Sequence, residues 1–192
     1  MEPAVNYLLS LSEYDQLSQE NRDTRYEYHD GEVFAMAGGD PKHGFIANNI
    51  GRLLANALFS KDCIVGNSDV RYHVASANKS FYPDVSVVCG PPERSDQDPH
   101  ALTNPIIIVA VLSASTEAFD RGDKFLTYSQ LPSLREYVLV KQDEWLVETR
   151  YRSAVADPWK LAWFDSTHAN VTLHSLGITL PLAELYHRTE EL

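Results

Sequence analysis

Four short stretches of this 192-residue sequence carry groups that could do chemistry together. Asp84 sits in the apolar run Tyr82-Pro83-Asp84-Val85-Ser86-Val87-Val88. A carboxylate there must avoid the apolar faces of a strand, and placing it at the strand's mouth, against a metal or a hydrogen-bond cluster, is one solution. A turn-forming Pro-Asp pair ahead of a strand is the plain alternative. A second apolar run holds Val109-Ala110-Val111, and beyond it Asp120 and Lys124 lie one helical turn apart. Acids converging from neighbouring strands would give Mg2+ the hard oxygen ligands it needs to activate water against a phosphodiester. Where that chemistry wants its second carboxylate the sequence has Ala110, which leaves only the carbonyls of residues 109–112.

Lys124 has two readings. With Asp120 it forms an i,i+4 pair worth about 0.3–0.5 kcal/mol on a helix surface. Turned toward the mouth of the sheet, its ammonium could instead orient a water or stabilise a pentavalent phosphorane. His43, just ahead of a long helix, could bond a phosphate or a carboxylate, although a single histidine at a helix start is usually structural. The seven histidines show no HxH or HExxH spacing, which disfavours zinc hydrolysis. No Gly-x-Ser-x-Gly, P-loop or Gly-x-Gly-x-x-Gly occurs, so triad hydrolases, NTPases and dinucleotide binders are disfavoured as well.

These residues need strands and helices to bring them together. Ser12 with an acid three residues on predicts a short helix to about Gln19. Asp30-Gly31 between Tyr26-Glu27-Tyr28-His29 and Glu32-Val33-Phe34-Ala35-Met36 predicts a hairpin opening the sheet. After a turn at Gly38-Gly39-Asp40-Pro41, Ile46, Ile50, Leu53, Leu54, Ala57 and Leu58 recur at helical spacing, predicting an amphipathic helix over residues 43–59. Strands are expected at 63–65, 70–74 and 82–88, and at 105–112, an apolar run that reads as a central strand buried on both faces. The polar stretch 90–104 would connect the last two as a hairpin. One helix over 117–130 follows, then strands at 136–140, 145–151, 160–164 and 171–173 and a short helix at 182–186. The pattern is a mixed α/β (α+β) domain around one sheet, spanning 1–192 as a single unit.

A net charge of −11 with pI near 5.0 argues against non-specific nucleic-acid binding through a broad basic face. A local basic groove could still draw on Arg71, Lys79, Arg121, Lys124, Arg150 and Arg152, each of which could equally be an ordinary solvated charge. Cys63 and Cys89, both among apolar neighbours, are expected to be reduced core thiols of a cytoplasmic protein. The N-terminus has no basic leader, and no apolar stretch approaches membrane-spanning length, so no membrane partner is expected.

Taken in order, Tyr26-Glu27…Asp30-Gly31-Glu32, Met36-Ala37-Gly38, His43…Asn48-Asn49…Leu53, Ser68-Asp69-Val70-Arg71, Tyr82-Pro83-Asp84-Val85-Ser86-Val87, Val111-Leu112-Ser113-Ala114-Ser115-Thr116-Glu117, Asp120-Arg121…Lys124…Tyr128 and Leu134-Arg135-Glu136-Tyr137-Val138-Leu139-Val140 make a pattern. The series resembles the Uma-type restriction endonuclease family, a branch of the PD-(D/E)xK nuclease superfamily, from about Leu9 to Leu185. The resemblance implies a restriction-endonuclease-like core, a mixed central sheet flanked by helices, with one Mg2+ or Mn2+ held where two central strands diverge. It implies Asp84 as metal-ligating aspartate, the Val111 carbonyl as a further ligand, and Lys124 as the catalytic lysine displaced from the strand, where Leu112 stands. Glu32 would be an accessory acid.

Ala110 departs from the family pattern, which has glutamate there, and Ala114 from its usual proline. With one of two metal carboxylates gone, Mg2+ should bind weakly and turnover should fall. Three explanations stay open: a natural inactive relative, a changed position, or another acid such as Glu32, Asp69 or Glu117 moving in. The expected function is therefore hydrolysis of nucleic-acid phosphodiesters, DNA by descent, at a weakened site. The alternative is a catalytically inactive module that keeps the fold to bind nucleic acid or protein. A homodimer is expected.

Overall fold

Ser10, two residues ahead of the serine expected, caps the first helix, α1 (Leu11–Glu20). Its hydroxyl accepts from the Glu13 N–H while the Glu13 carboxylate accepts from the Ser10 N–H, a complete capping box. The computed structural model describes residues 4, 5, 7–36, 39–166, 168 and 170–190, so the turn expected at Gly38 and the Ala37-Gly38 part of the family pattern lie outside the described residues. Strands β1 (Tyr26–His29) and β2 (Glu32–Ala35) meet at Asp30 and Gly31, whose φ of 49° and 105° a tight hairpin requires. Helix α2 (Pro41–Leu58) starts at Asp40, whose carboxylate accepts from the Lys42 N–H, with proline in its first turn.

Strands β3 (Cys63–Asn67), β4 (Arg71–Val74), β5 (Lys79–Phe81), β6 (Val85–Cys89), β7 (Ala101–Leu102) and β8 (Ile107–Leu112) follow. The helix expected over 117–130 is three pieces: α3 (Glu117–Phe119), a π-helical turn (Asp120–Lys124) and α4 (Phe125–Tyr128). The chain closes with β9 (Glu136–Lys141), β10 (Leu146–Tyr151), β11 (Lys160–Asp165), β12 (Asn170–Leu173), β13 (Ile178–Pro181) and α5 (Leu182–Leu185).

Among the described residues the strands form three sheets where the sequence suggested one. The central sheet has six strands in the order β11-β10-β9-β8-β6-β3, antiparallel except for the parallel β8–β9 pair, so it is mixed as expected. The β1–β2 hairpin belongs instead to a five-stranded sheet, β2-β1-β5-β4-β7, and β12 and β13 pair alone. Residues 90–104 connect β6 to β8 but are more than a hairpin loop: β7, within them, pairs in parallel with β4 and ties the two large sheets together.

Side-chain alternation along β8 divides the core. Ile107, Val109 and Val111 pack with the apolar face of α2, with α5 and with β12 and β13; Ile108, Ala110 and Leu112 pack with Phe81, Phe125, Tyr128, Tyr137 and Leu139 on the other face. The central strand is buried on both faces because both are covered.

The cysteines contradict their expected reduced state. Adjacent antiparallel strands β3 and β6 pair Cys63 directly with Cys89, with Cα atoms 4.0 Å apart, and the sulfurs are bonded. Two apolar-flanked thiols far apart in sequence gave no hint of that register.

Candidate active site

The β6–β8 register sets Val85 opposite Val109. One residue further, the same register puts Asp84 opposite Ala110. The Asp84 Oδ2 accepts the Val111 N–H at 2.7 Å. Its carboxylate thus continues the hydrogen-bond ladder where β6 has not yet begun, satisfying a backbone donor that would otherwise lack a partner. Ala110, 5 % exposed, offers a methyl group where a second acid would stand.

Lys124 reaches the same region from the other side. The π-helical turn has a wider repeat than an α-helix, and it sends both Asp120 and Lys124 inward. Lys124 is only 11 % exposed, so the surface-pair reading of this lysine is excluded. Its main partner is one the sequence did not identify: Glu27 on β1, whose Oε1 accepts from Nζ at 2.9 Å, with Asp120 Oδ1 farther off at 3.8 Å. Burial works to lower the lysine's pKa, but the Glu27 and Asp120 carboxylates outweigh it and hold the ammonium above its ordinary range. Burial likewise works to raise Glu27, and Lys124 together with His29 brings it below the usual carboxylate value. Asp120 is held above its own, by burial that Lys124 only partly offsets. The field of Asp84 reaches Lys124, but no hydrogen bond joins them.

His43, from the first turn of α2, completes the cluster. Its Nε2 lies 3.4 Å from Asp84 Oδ2, and the Asp84 hydrogen bond, with help from the Val111 backbone, raises the imidazole's pKa against the effect of burial. Val111 therefore meets Asp84 through its N–H and His43 through its carbonyl.

The other candidates lie elsewhere. Glu32 is exposed on β2, and the hairpin acid that meets Lys124 is Glu27. Asp69 is exposed and pairs with Arg25, and Glu117 pairs with Arg121 and Lys141, so neither moves in for the missing glutamate. A basic groove does not form from the expected residues. Arg71 is buried against Asp15 and Asp98, Arg121 and Arg150 are bound to Glu148, and Arg152 bonds carbonyls over the Trp159 ring.

This donor set does not suit a hard dication. Of the three acids, Glu27 and Asp120 are engaged by the Lys124 ammonium, and Asp84 is engaged by an N–H and an imidazole. Among the described residues, no three His, Cys, Asp or Glu side chains are arranged to hold a metal ion. Next to Asp84 and His43 a groove of about 380 Å³ opens between α2 and β3, passing Asn48, Gly51, Arg52 and Ala55.

A solved structure described as a putative nuclease belonging to DUF820, from Anabaena variabilis, superposes with a TM-score of 0.73 over 93 % of this chain and 97 % of that one, at 17 % identity. The shared feature is the restriction-endonuclease-like fold. Two uncharacterized proteins of Synechocystis sp. are similar in sequence. Slr1290 is 34 % identical over 93 % of this chain and 91 % of its own, and sll1609 is 32 % identical over 91 % and 98 %. The profile of the Uma2 family, described as "Putative restriction endonuclease", matches residues 11–183. The match spans most of the chain, which therefore belongs to the Uma2 family.

Proposed function

We propose that this protein descends from Mg2+-dependent nucleases, with DNA as the ancestral substrate, and that its own phosphodiester hydrolysis is slow because one metal carboxylate is missing. The observation that carries this reading is the Ala110 methyl group facing Asp84 across the β6–β8 pair. Asp84 keeps the position of a metal-ligating aspartate and Val111 the position of a carbonyl ligand. A hard cation that must shed tightly held water finds too little charge there, so Mg2+ or Mn2+ should bind weakly. In the chain as it stands, Lys124 holds a proton against Glu27 and Asp120, and His43 donates toward Asp84. The site is thus arranged around internal ion pairs. Calorimetric titration with Mn2+ tests this: Ala110→Glu should bind the ion at least tenfold more tightly than the parent chain, and equal affinity would remove the basis of the proposal.

The assembly belongs to the same proposal. The outer strand β11 is an open sheet edge carrying exposed Leu161 and Trp163, which supports a homodimer. No helix among the described residues is long and apolar enough to cross a membrane.

A further inference from the structure

Helix α2 turns one face to the core and leaves on the other a line of side chains unusual for solvent. Phe45 is 54 % exposed and Phe59 is 91 % exposed, with Arg52 midway between them. Seven residues are nearly two helical turns, so the three fall on one stripe that drifts by only about 20° per step. Arg52 also lines the groove beside β3, so the stripe meets the groove's edge at that residue, with Phe45 and Phe59 beyond the lining on either side. The groove's inner end is Asp84 and His43, and its floor consists of Gly44, Ala47, Gly51 and Ala55, small enough to let a flat group approach the helix closely.

We propose that the stripe and groove bind a single strand of nucleic acid, its bases stacked on Phe45 and Phe59 and a phosphate on Arg52, directing the chain toward Asp84. This rests on the nuclease reading above and names the form of its substrate. Phe45 and Phe59 are about 21 Å apart along the axis, a span of roughly three nucleotides of extended strand. Access to the bases selects the single strand. A net charge of −11 opposes any polyanion, and a duplex, which hides its base faces, has no stacking contact to offset that. An unpaired strand exposes those faces, and stacking on an aromatic ring holds any base. Among the described residues Arg52 pairs with Glu184, at 3.6 Å and half exposed, a partner it can exchange for phosphate. The larger depression elsewhere on the surface, about 640 Å³, is lined by Glu144, Asp165 and Glu190 and is unsuited to a phosphate.

Fluorescence anisotropy of a labelled twelve-nucleotide oligothymidylate, titrated with the full chain in EDTA, tests the proposal without any metal-dependent step. The unmodified chain should bind it at least tenfold more tightly than a duplex of the same length, with a salt dependence shallower than one of many phosphate contacts. Phe45→Ala and Phe59→Ala should each weaken binding about tenfold, and Gly51→Trp, which fills the groove, should abolish it. Both phenylalanines are exposed, so circular dichroism should show the variants folded. No binding of the oligonucleotide, preference for the duplex, or full binding by both alanine variants would overturn the proposal. So would a dimer, seen by sedimentation, that Phe59→Ala dissociates with no change in oligonucleotide affinity, because the stripe would then be covered by a second copy. If Ala110→Glu cleaves DNA while the phenylalanine variants bind normally, only the groove is wrong; if Ala110→Glu neither binds Mn2+ nor cleaves, the nuclease reading itself fails.

Discussion

Glu27 and Lys124 form the electrostatic centre of the candidate site, and each is buried only because the other is. Lys124→Ala would strand Glu27, 3 % exposed, without its ammonium and should cost about 3–5 kcal/mol in urea denaturation. Replacing both, as in Glu27→Leu with Lys124→Met, should recover most of that loss, since no unpaired charge then stays behind. The same pair fixes a pH dependence. Glu27 sits below its ordinary 4.5 in the folded chain, so its stabilising contribution is present above 4.5 and disappears as pH falls through the lowered value. Asp120 is shifted the opposite way, and protonating it relieves a cost. Stability measured from pH 6 down to pH 3 should therefore fall more steeply in the parent chain than in Glu27→Gln. Parallel curves would mean that the Lys124 pair contributes nothing to folding.

At the scale of elements, two devices hold the site: the β3–β6–β8 strands that carry Asp84, and the π-helical turn that aims Lys124. The first is stapled by Cys63–Cys89, which closes a chain segment with a sequence separation of 26. A loop of that size contributes about 3 kcal/mol in the chain-entropy view. Cys89→Ser should lower the unfolding free energy by about that amount, and thiol titration of the denatured parent chain should find no free thiol before reductant and two after it. Free thiols before reduction would return the pair to the reduced state that sequence alone suggests. The π-helical turn was not legible at all. Nothing in Asp120-Arg121-Gly122-Asp123-Lys124 marks a π-helix, because α-helical and π-helical turns differ by a single hydrogen-bond step that tertiary contacts decide.

At the scale of the molecule, hydrophobic patterning carried most of the architecture. The apolar faces of α2 and β8 were readable because burial imposes periods of 3.6 and 2. The division into several sheets was not, because β5, β7 and β13 are too short or too polar to announce themselves and their pairing is non-local. In the candidate site the strand aspartate was legible from its apolar setting, and the missing acid at Ala110 from the family resemblance. Glu27 was not, since nothing local says that an acid on a remote hairpin will meet a lysine ninety-seven residues later. The homodimer belongs to this scale as well. Sedimentation equilibrium should give twice the monomer's 21.6 kDa, and Trp163→Arg on the β11 edge should return it to one. A dimer unaffected by that change would place the interface elsewhere.

The absence of a carboxylate at position 110 is the feature on which activity turns, and plasmid nicking in Mn2+ addresses it directly with three proteins. The unmodified chain should leave supercoiled plasmid intact over hours, Ala110→Glu should nick it, and Asp84→Ala added to Ala110→Glu should remove that activity. Robust nicking by the unmodified chain, lost on Asp84→Ala, would contradict this, because a complete site would then exist with alanine at 110.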